Sequence, residues 1–296
     1  MSDTFFTTAP HWQWLVVFYF FIGGIAGGSY FLAALLDLWG EPEDRPVARL
    51  GYYVALVGVV VSGLLLIADL NRPERFWHML IMSETGWPMF KYWSPMSVGS
   101  WGLLVFGAFA FLSSVAALEE DGRLRWQALG RLRSGVLGMF IAAFGGLCGF
   151  FVAGYTGVLL SVTNRPIWAD TNLLGVLFLL SGASTAAAAL ILLGRWRGTG
   201  TATVQWLAWL DSKTLALELI VLIALVVSLG SVARVWLDAW GALLVGGVVL
   251  IGIMLPLALH ARPQLLGGLS APASAVLVLL GGFLLRVVVV LSAESV

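Results

Sequence analysis

A chain of 296 residues that is 60% hydrophobic and only 11% charged, with a mean hydropathy of +0.95, carries more apolar surface than a soluble domain of that size buries. Its zero net charge leaves no electrostatic footprint for nucleic acid, and its one cysteine, Cys148, excludes both a disulfide framework and a thiolate cluster. The class these numbers point to is an all-α integral membrane protein in a lipid bilayer.

The first ten residues, Met1 to Pro10, lack a basic region, and the apolar run after them is too long for a signal peptide. That run reads as a retained first span. Polar punctuation divides the chain into eight predicted transmembrane helices at about 12–36, 47–68, 93–118, 134–162, 171–193, 214–235, 239–260 and 269–292, within a single transmembrane domain, 1–296. The short alternating segments of a β-barrel are not visible, and the fourteen tryptophans fall largely near span ends, as interfacial anchors do.

Orientation follows from the basic residues. Loops after odd-numbered spans hold Arg45, Arg49, Arg123, Arg125, Arg131, Arg133, Arg195, Arg197, Lys213 and Arg262, against Arg72, Arg75, Lys91, Arg165 and Arg234 on the other side. The first set is expected in the cytoplasm. Both termini then lie on the outer, periplasmic face of a bacterial inner membrane, crossed in multiple passes.

Taken in chain order, span one carries Gly23-Gly24-Ile25-Ala26-Gly27-Gly28, two overlapping GxxxG patterns. Such a strip lets another helix, or a flat ligand, lie close to the backbone, and Gly27 is its candidate ligand contact. No strand precedes it, so it is no dinucleotide loop. Span two ends in Asp69-Leu70-Asn71-Arg72-Pro73-Glu74-Arg75-Phe76-Trp77, a charged run where a long apolar segment stops. Asp69 emerges at the outer face, Pro73 stops the helix and Trp77 settles at headgroup depth. The loop on to Trp93 is rich in aromatics and reads either as an amphipathic lid that docks a partner or as an ordinary interfacial helix.

Tyr155, in Gly154-Tyr155-Thr156-Gly157, needs a hydrogen-bond partner at its depth, from another helix or from a ligand carbonyl. Asp37 and Glu218 lie towards the inner face as a candidate proton path, although a structural hydrogen bond accounts equally for Glu218. Arg286 is predicted near the outer face with Asp69, Asp170 or Asp238 as its ion-pair partner. Of the three histidines, His11 and His78 fall outside and His260 inside, so no facing pair for a haem appears. Neither haem nor iron–sulfur cluster nor metal site is expected in this chain. His11 or His78 is placed to meet a quinone carbonyl.

Taken together, these residues resemble the NrfD/PsrC family, the membrane subunit of polysulfide reductase-like oxidoreductases. The resemblance rests on Gly23 to Tyr30, on Asp69 to Trp77, on Gly154-Tyr155-Thr156-Gly157-Val158-Leu159-Leu160 with Pro166-Ile167-Trp168 after it, and on Gly281 to Arg286. It implies an eight-helix, cofactor-free subunit that binds menaquinone or ubiquinone as substrate near the outer face. Electrons would pass between that quinone and a docked iron–sulfur subunit, joined to a catalytic subunit that is often a molybdopterin enzyme. Carried over, Asp69, Arg72 and Tyr155 shape the quinone pocket, with Trp168 in the element after span four. At the start of span one this chain offers His11 and Gln13.

Quinone chemistry moves two electrons and two protons, so the pocket needs a donor at a carbonyl and a titratable relay to water. Tyr155 or a histidine suits the first role and Asp69 the second. A route through Asp37 and Glu218 would add proton translocation. The reading from another class is a secondary transporter, favoured by glycine-rich spans, buried carboxylates and Pro256 inside span seven.

Overall fold

The computed structural model describes residues 12–124, 135–198 and 200–295. His11 lies outside the described residues, as do Arg125, Arg131 and Arg133. Among the described residues, eight helices are long and apolar enough to cross a membrane. They are α1 (Trp14–Trp39), α2 (Arg45–Asp69), α3 (Pro95–Glu120), α4 (Gly135–Ser161), α5 (Leu174–Arg197), α6 (Thr201–Leu229), α7 (Ala239–Ala261) and α8 (Ser270–Ser292). The only strand-like feature described is an isolated antiparallel bridge between Ile81 and Pro88.

Local chemistry sets several boundaries. Ser94 caps α3 by accepting from the Ser97 amide, with Pro95 at the first helical position, where its missing N–H costs nothing. Asp238 caps α7 through the Trp240 amide at 2.8 Å. Gly198 ends α5 in the left-handed region at φ 68°, where a side chain would be strained. The largest departure from expectation is α6, which begins at Thr201 rather than near residue 214. The sequence places Lys213 in the loop after span five, but the nearby Asp211 is fully buried and satisfied by side chains of other helices, so the helix runs through both. Span seven changes gait within the membrane: Leu243–Met254 is π-helical and returns to α-helix at Leu255, just before Pro256. The wider turn there lets Gly252 meet Gly281 of α8 backbone to backbone.

Helix α1 is central and touches α2, α4, α5 and α8. The glycine strip is a packing surface. Gly27 lies against the Gly149 carbonyl of α4 and Gly28 against the Gly182 carbonyl and Ala186 of α5, while Gly51 and Gly58 of α2 approach Ala33 and Ala26 of α1. Helix α3 closes one side of the bundle between α2 and α4, and α6 closes the other between α5 and α7.

The loops after odd-numbered spans gather at one end. There Arg49 pairs with Asp121 at 3.1 Å and Glu120 at 3.3 Å, Asp44 accepts from Thr203 at 2.5 Å, and Arg195 donates to the Gly268 carbonyl at 2.9 Å. At the opposite end Glu294 accepts from the Trp12 amide at 3.0 Å and pairs with Arg165 at 3.1 Å. Trp236 donates to Ser292 at 3.0 Å in the same region. These are the Arg49 end and the Asp69 end of the bundle.

A Cβ at Gly28 would overlap the Gly182 carbonyl, whereas one at Gly246 meets nothing within 4 Å. Gly28→Val is therefore expected to lower stability by about 1–3 kcal/mol or more through overpacking, with Gly246→Ala close to neutral. Thermal denaturation of the two purified variants in the same detergent checks the order.

Candidate functional site

Helix α2 stops because Leu70 turns extended (ψ 134°) and Pro73 starts a short 3-10 segment, Pro73–Met79, across the bundle end. Asp69 is left as the last helical residue, at the edge of a chamber of about 110 Å³. Trp12, Val16, Tyr19 and Phe20 form one wall, Leu66, Leu70 and Met79 another, and Met96, Gly99 and Ser100 of α3 a third. Tyr155 and Leu159 of α4 complete it.

Tyr155 is held from several sides. Its hydroxyl donates to the Pro95 carbonyl, and its ring stacks on Phe151 at 5.2 Å. A methyl group at position 99 would overlap the phenol, so Gly99 makes the space in which the ring sits. Since the hydroxyl hydrogen is engaged by Pro95, the phenol oxygen is left as an acceptor towards the chamber. The Asp69 carboxylate forms no hydrogen bond or ion pair with a described residue, which leaves it available to a ligand or to water.

The opposite wall is braced from behind. Trp12 stacks on Trp168 at 5.3 Å, and the fully buried Trp168 donates its indole N–H to the Val289 carbonyl of α8 at 2.7 Å. The turn that delivers Trp168 holds Ile167 at φ 72°, a rare conformation for a β-branched residue, with its amide bound to Asp170 at 3.0 Å. Strain is thus spent on placing an indole beneath the chamber wall.

A second space continues from the first. An apolar furrow of about 540 Å³ runs between α2 and α3 along Leu56, Val60, Gly63, Ile67, Leu104, Gly107 and Phe111. It shares Leu66, Leu70, Met79 and Ser100 with the chamber, so the two are contiguous at the helix ends. The arrangement suits an amphipathic guest with an oxygen-bearing head at Asp69 and Tyr155 and a hydrocarbon chain in the furrow.

The family model described as "Polysulphide reductase, NrfD" matches residues 4–296. The chain belongs to the NrfD family. It is 27% identical to a polysulfide reductase chain of Wolinella succinogenes over 286 residues, covering 84% of this chain and 82% of that protein. Identity to "Protein NrfD" of Escherichia coli is 29% over 196 residues, 60% of this chain and 57% of that one. A selenate reductase subunit of Mesobacillus selenatarsenatis aligns over 112 residues at 25% identity, 38% of this chain and 24% of its own length. The protein is thus a multi-pass member of a family of oxidoreductase membrane subunits.

Of the residues that the sequence proposes for this NrfD chain, Asp69 and Tyr155 both line the chamber, and Trp168 supports it through Trp12. Gly27 packs on α4 instead of lining it. The exposed Arg72 and Trp77 stand in the turn beside it, and His78 lies against the Trp77 ring at 3.9 Å; none of the three lines the chamber. The Asp69–Trp93 loop is not an interfacial α-helix. After the 3-10 segment it folds back on itself, with Met82 and Trp87 joined at 2.9 Å, and Trp101 of α3 pins Met89 at 2.9 Å.

The remaining ionisable candidates divide into separate groups. Asp37 accepts from Tyr52 at 3.0 Å near Arg45 at the Arg49 end, whereas Glu218 is buried on α6 beside Ser181 of α5. Arg286 does not pair with Asp69, Asp170 or Asp238. Its Nη1 donates to Ser181 Oγ and to the Gly282 carbonyl, each at 2.7 Å, and its guanidinium lies between Phe178 and Phe21. Among the described residues, no three His, Cys, Asp or Glu side chains gather to hold a metal ion. Sequence reasoning missed Tyr19 and Trp12 as chamber walls, since aromatics near a span end read as anchors.

Gly99→Ala is expected to displace the Tyr155 ring and cost about 1–3 kcal/mol. Tyr155→Phe, which loses only the bond to Pro95, should cost about 0.5–1.5 kcal/mol. Denaturation midpoints of the purified variants test whether Gly99→Ala is the more damaging.

Proposed function

We propose that this chain is the quinone-reactive membrane subunit of a respiratory oxidoreductase, exchanging electrons between menaquinone or ubiquinone and an iron–sulfur subunit docked at the Asp69 end. The observation that carries the reading is the joined chamber and furrow. A quinone is a polar ring on a long apolar chain, and the two connected spaces match those two parts in chemistry. Family membership supports the same reading, because one relative is named as part of a polysulfide reductase and another as part of a selenate reductase. The substrate's catalytic chemistry would belong to a further subunit, often a molybdopterin enzyme in the family.

In this reading the residues divide the work by position. The Tyr155 oxygen accepts from a ring hydroxyl of the quinol and orients it. Asp69, at the chamber edge and at the end of its helix, takes or returns the proton and passes it to water outside. Apolar walls from Leu66, Leu159 and Phe20 keep the ring out of bulk water. Beside the chamber, Trp87, Tyr92 and Trp93 are 73%, 77% and 68% exposed, with Arg75 and Lys91 among them, which suits a docking face for a partner subunit. The Asp69 end is then the periplasmic one.

Asp69→Asn is expected to leave the complex assembled and to slow quinone turnover by about a hundredfold, the lower range for a positioned proton-transfer group. Full turnover in an assembled variant would remove Asp69 from the mechanism. Filling the furrow by Gly107→Phe should raise KM for a long-chain quinone while leaving KM for a short-chain analogue near its original value. Equal changes for both quinones would place the tail elsewhere.

A further inference from the structure

The basic residues at the Arg49 end fall into two groups that differ in how their charge is met. On α2 they have carboxylate partners: Arg45 reaches Asp37 and Glu120, and Arg49 reaches Glu120 and Asp121. On α5, α6 and the loop after α7 they have none. Arg195, Lys213 and Arg262 form no ion pair with a described residue. Asp211, close to Lys213 in sequence, is fully buried and engaged by His260 at 2.9 Å and Ser184 at 2.5 Å, so it serves those groups and not these cations.

The three unpaired cations flank one cavity of about 710 Å³. Arg195 lines it, Lys213 Nζ stands 6.0 Å from the ring of Trp209 in its wall, and Arg262 directly precedes Pro263, another lining residue. Arg195 spends one N–H on the Gly268 carbonyl at 2.9 Å, and the rest of its fork is bound to no described residue. The exposed Thr201 and Gln205 side chains are also without a described partner. No carboxylate lines the cavity, and its remaining surface includes apolar Ala208 and Leu259. It lies beside the first turns of α6, ahead of the apolar stretch that starts near Thr214, with Trp209 exposed as a residue at headgroup depth is. A site that is cationic, acid-free and partly apolar at the membrane surface is complementary to an anionic amphiphile.

We propose that this cavity binds the phosphate of an anionic phospholipid, held by the Arg195 guanidinium with the Lys213 ammonium nearby. A guanidinium offers phosphate two parallel N–H groups, and an ammonium adds a point charge. The Thr201 hydroxyl and Gln205 amide supply neutral donors. Both α6 and α8 begin at the cavity, at Thr201 and Ser270, and neither has a side-chain cap, so their first turns reinforce the positive potential. Phosphate is common to a lipid headgroup and to free phosphate. The apolar share of the lining favours the lipid, whose glycerol and first methylenes would lie against Trp209, Ala208 and Leu259. Anionic lipids attract basic residues at the cytoplasmic leaflet, the side on which the distribution of arginine and lysine sets this end. His260 faces Asp211 and Ser274 and is not needed for the phosphate.

This inference does not depend on what the chamber binds, and its test uses the full chain in detergent. Native mass spectrometry during titration with phosphatidylglycerol, or with phosphatidylcholine of the same acyl chains, counts bound lipids and gives their affinities. Phosphatidylglycerol is expected to bind about tenfold more tightly, as two basic residues near one headgroup imply. Arg195→Gln should weaken it by about tenfold, the scale of a lost hydrogen bond to a charged group, and Lys213→Gln by about fivefold. Arg234→Gln, exposed at the Asp69 end, should change nothing. Circular dichroism checks that helix content is kept. Should Arg195→Gln fail to fold once its bond to Gly268 is lost, Lys213→Gln carries the comparison. Equal binding of the two lipids, or unchanged phosphatidylglycerol affinity in the folded variants, would overturn the site. Displacement of phosphatidylglycerol by millimolar inorganic phosphate would overturn the lipid in favour of the free anion.

Discussion

Helices in hydrocarbon gain nothing by hiding apolar side chains from lipid, so close backbone contact has to hold them together. In this protein α1 meets that requirement by showing bare backbone on several sides at once. Gly27 is set against Gly149, Gly28 against Gly182 and Ala186, and its own Ala26 and Ala33 receive Gly58 and Gly51 of α2. A larger side chain at these points would push a whole helix away. Because α1 is held so near its neighbours, the aromatic residues at its start converge on the ends of α2, α3 and α4, and the chamber is the space they leave. The same close approach admits the Arg286 guanidinium beside Gly24, where any β-carbon would crowd it.

From this centre the bundle divides its chemistry. On the α1–α4 side, the charged side chains lie at the helix ends, and the long furrow between α2 and α3 is almost entirely hydrocarbon. On the α5–α8 side, polar groups enter from the opposite end and reach the interior. The two meet at Phe20 and Phe178, which pack edge to face at 5.9 Å. Phe20 is a wall of the chamber and Phe178 lies against the Arg286 guanidinium, so this aromatic contact stands between the two halves.

The family resemblance visible in the residues agrees with the structure where the motifs are contiguous. Asp69 to Trp77 reads as a helix end followed by a proline-stopped turn, and that is how it folds. Tyr155 was recognisable as a phenol that needs a partner, and Pro95 supplies it. Arg286 was expected to find a carboxylate at the outer face. It instead points into the bundle, where serine, backbone carbonyls and two aromatic rings surround it and Gly24 and Gly282 make room.

Length, hydropathy and punctuation were enough to determine eight membrane-crossing helices, since a bilayer of fixed thickness reads those properties directly from composition. Glycines four apart likewise declared a packing face, and Asp-Leu-Asn-Arg-Pro a helix terminus. Which helices the glycines would face, that Gly99 would clear a seat for Tyr155, and that Asp211 would pair with His260 across 49 residues of sequence were decided only by the assembled bundle. An isolated Asp near Lys213 looks like a surface loop, and only a partner from a distant helix makes it stable inside. Pairwise satisfaction of buried charge depends on three-dimensional neighbours, and a linear sequence carries no record of them.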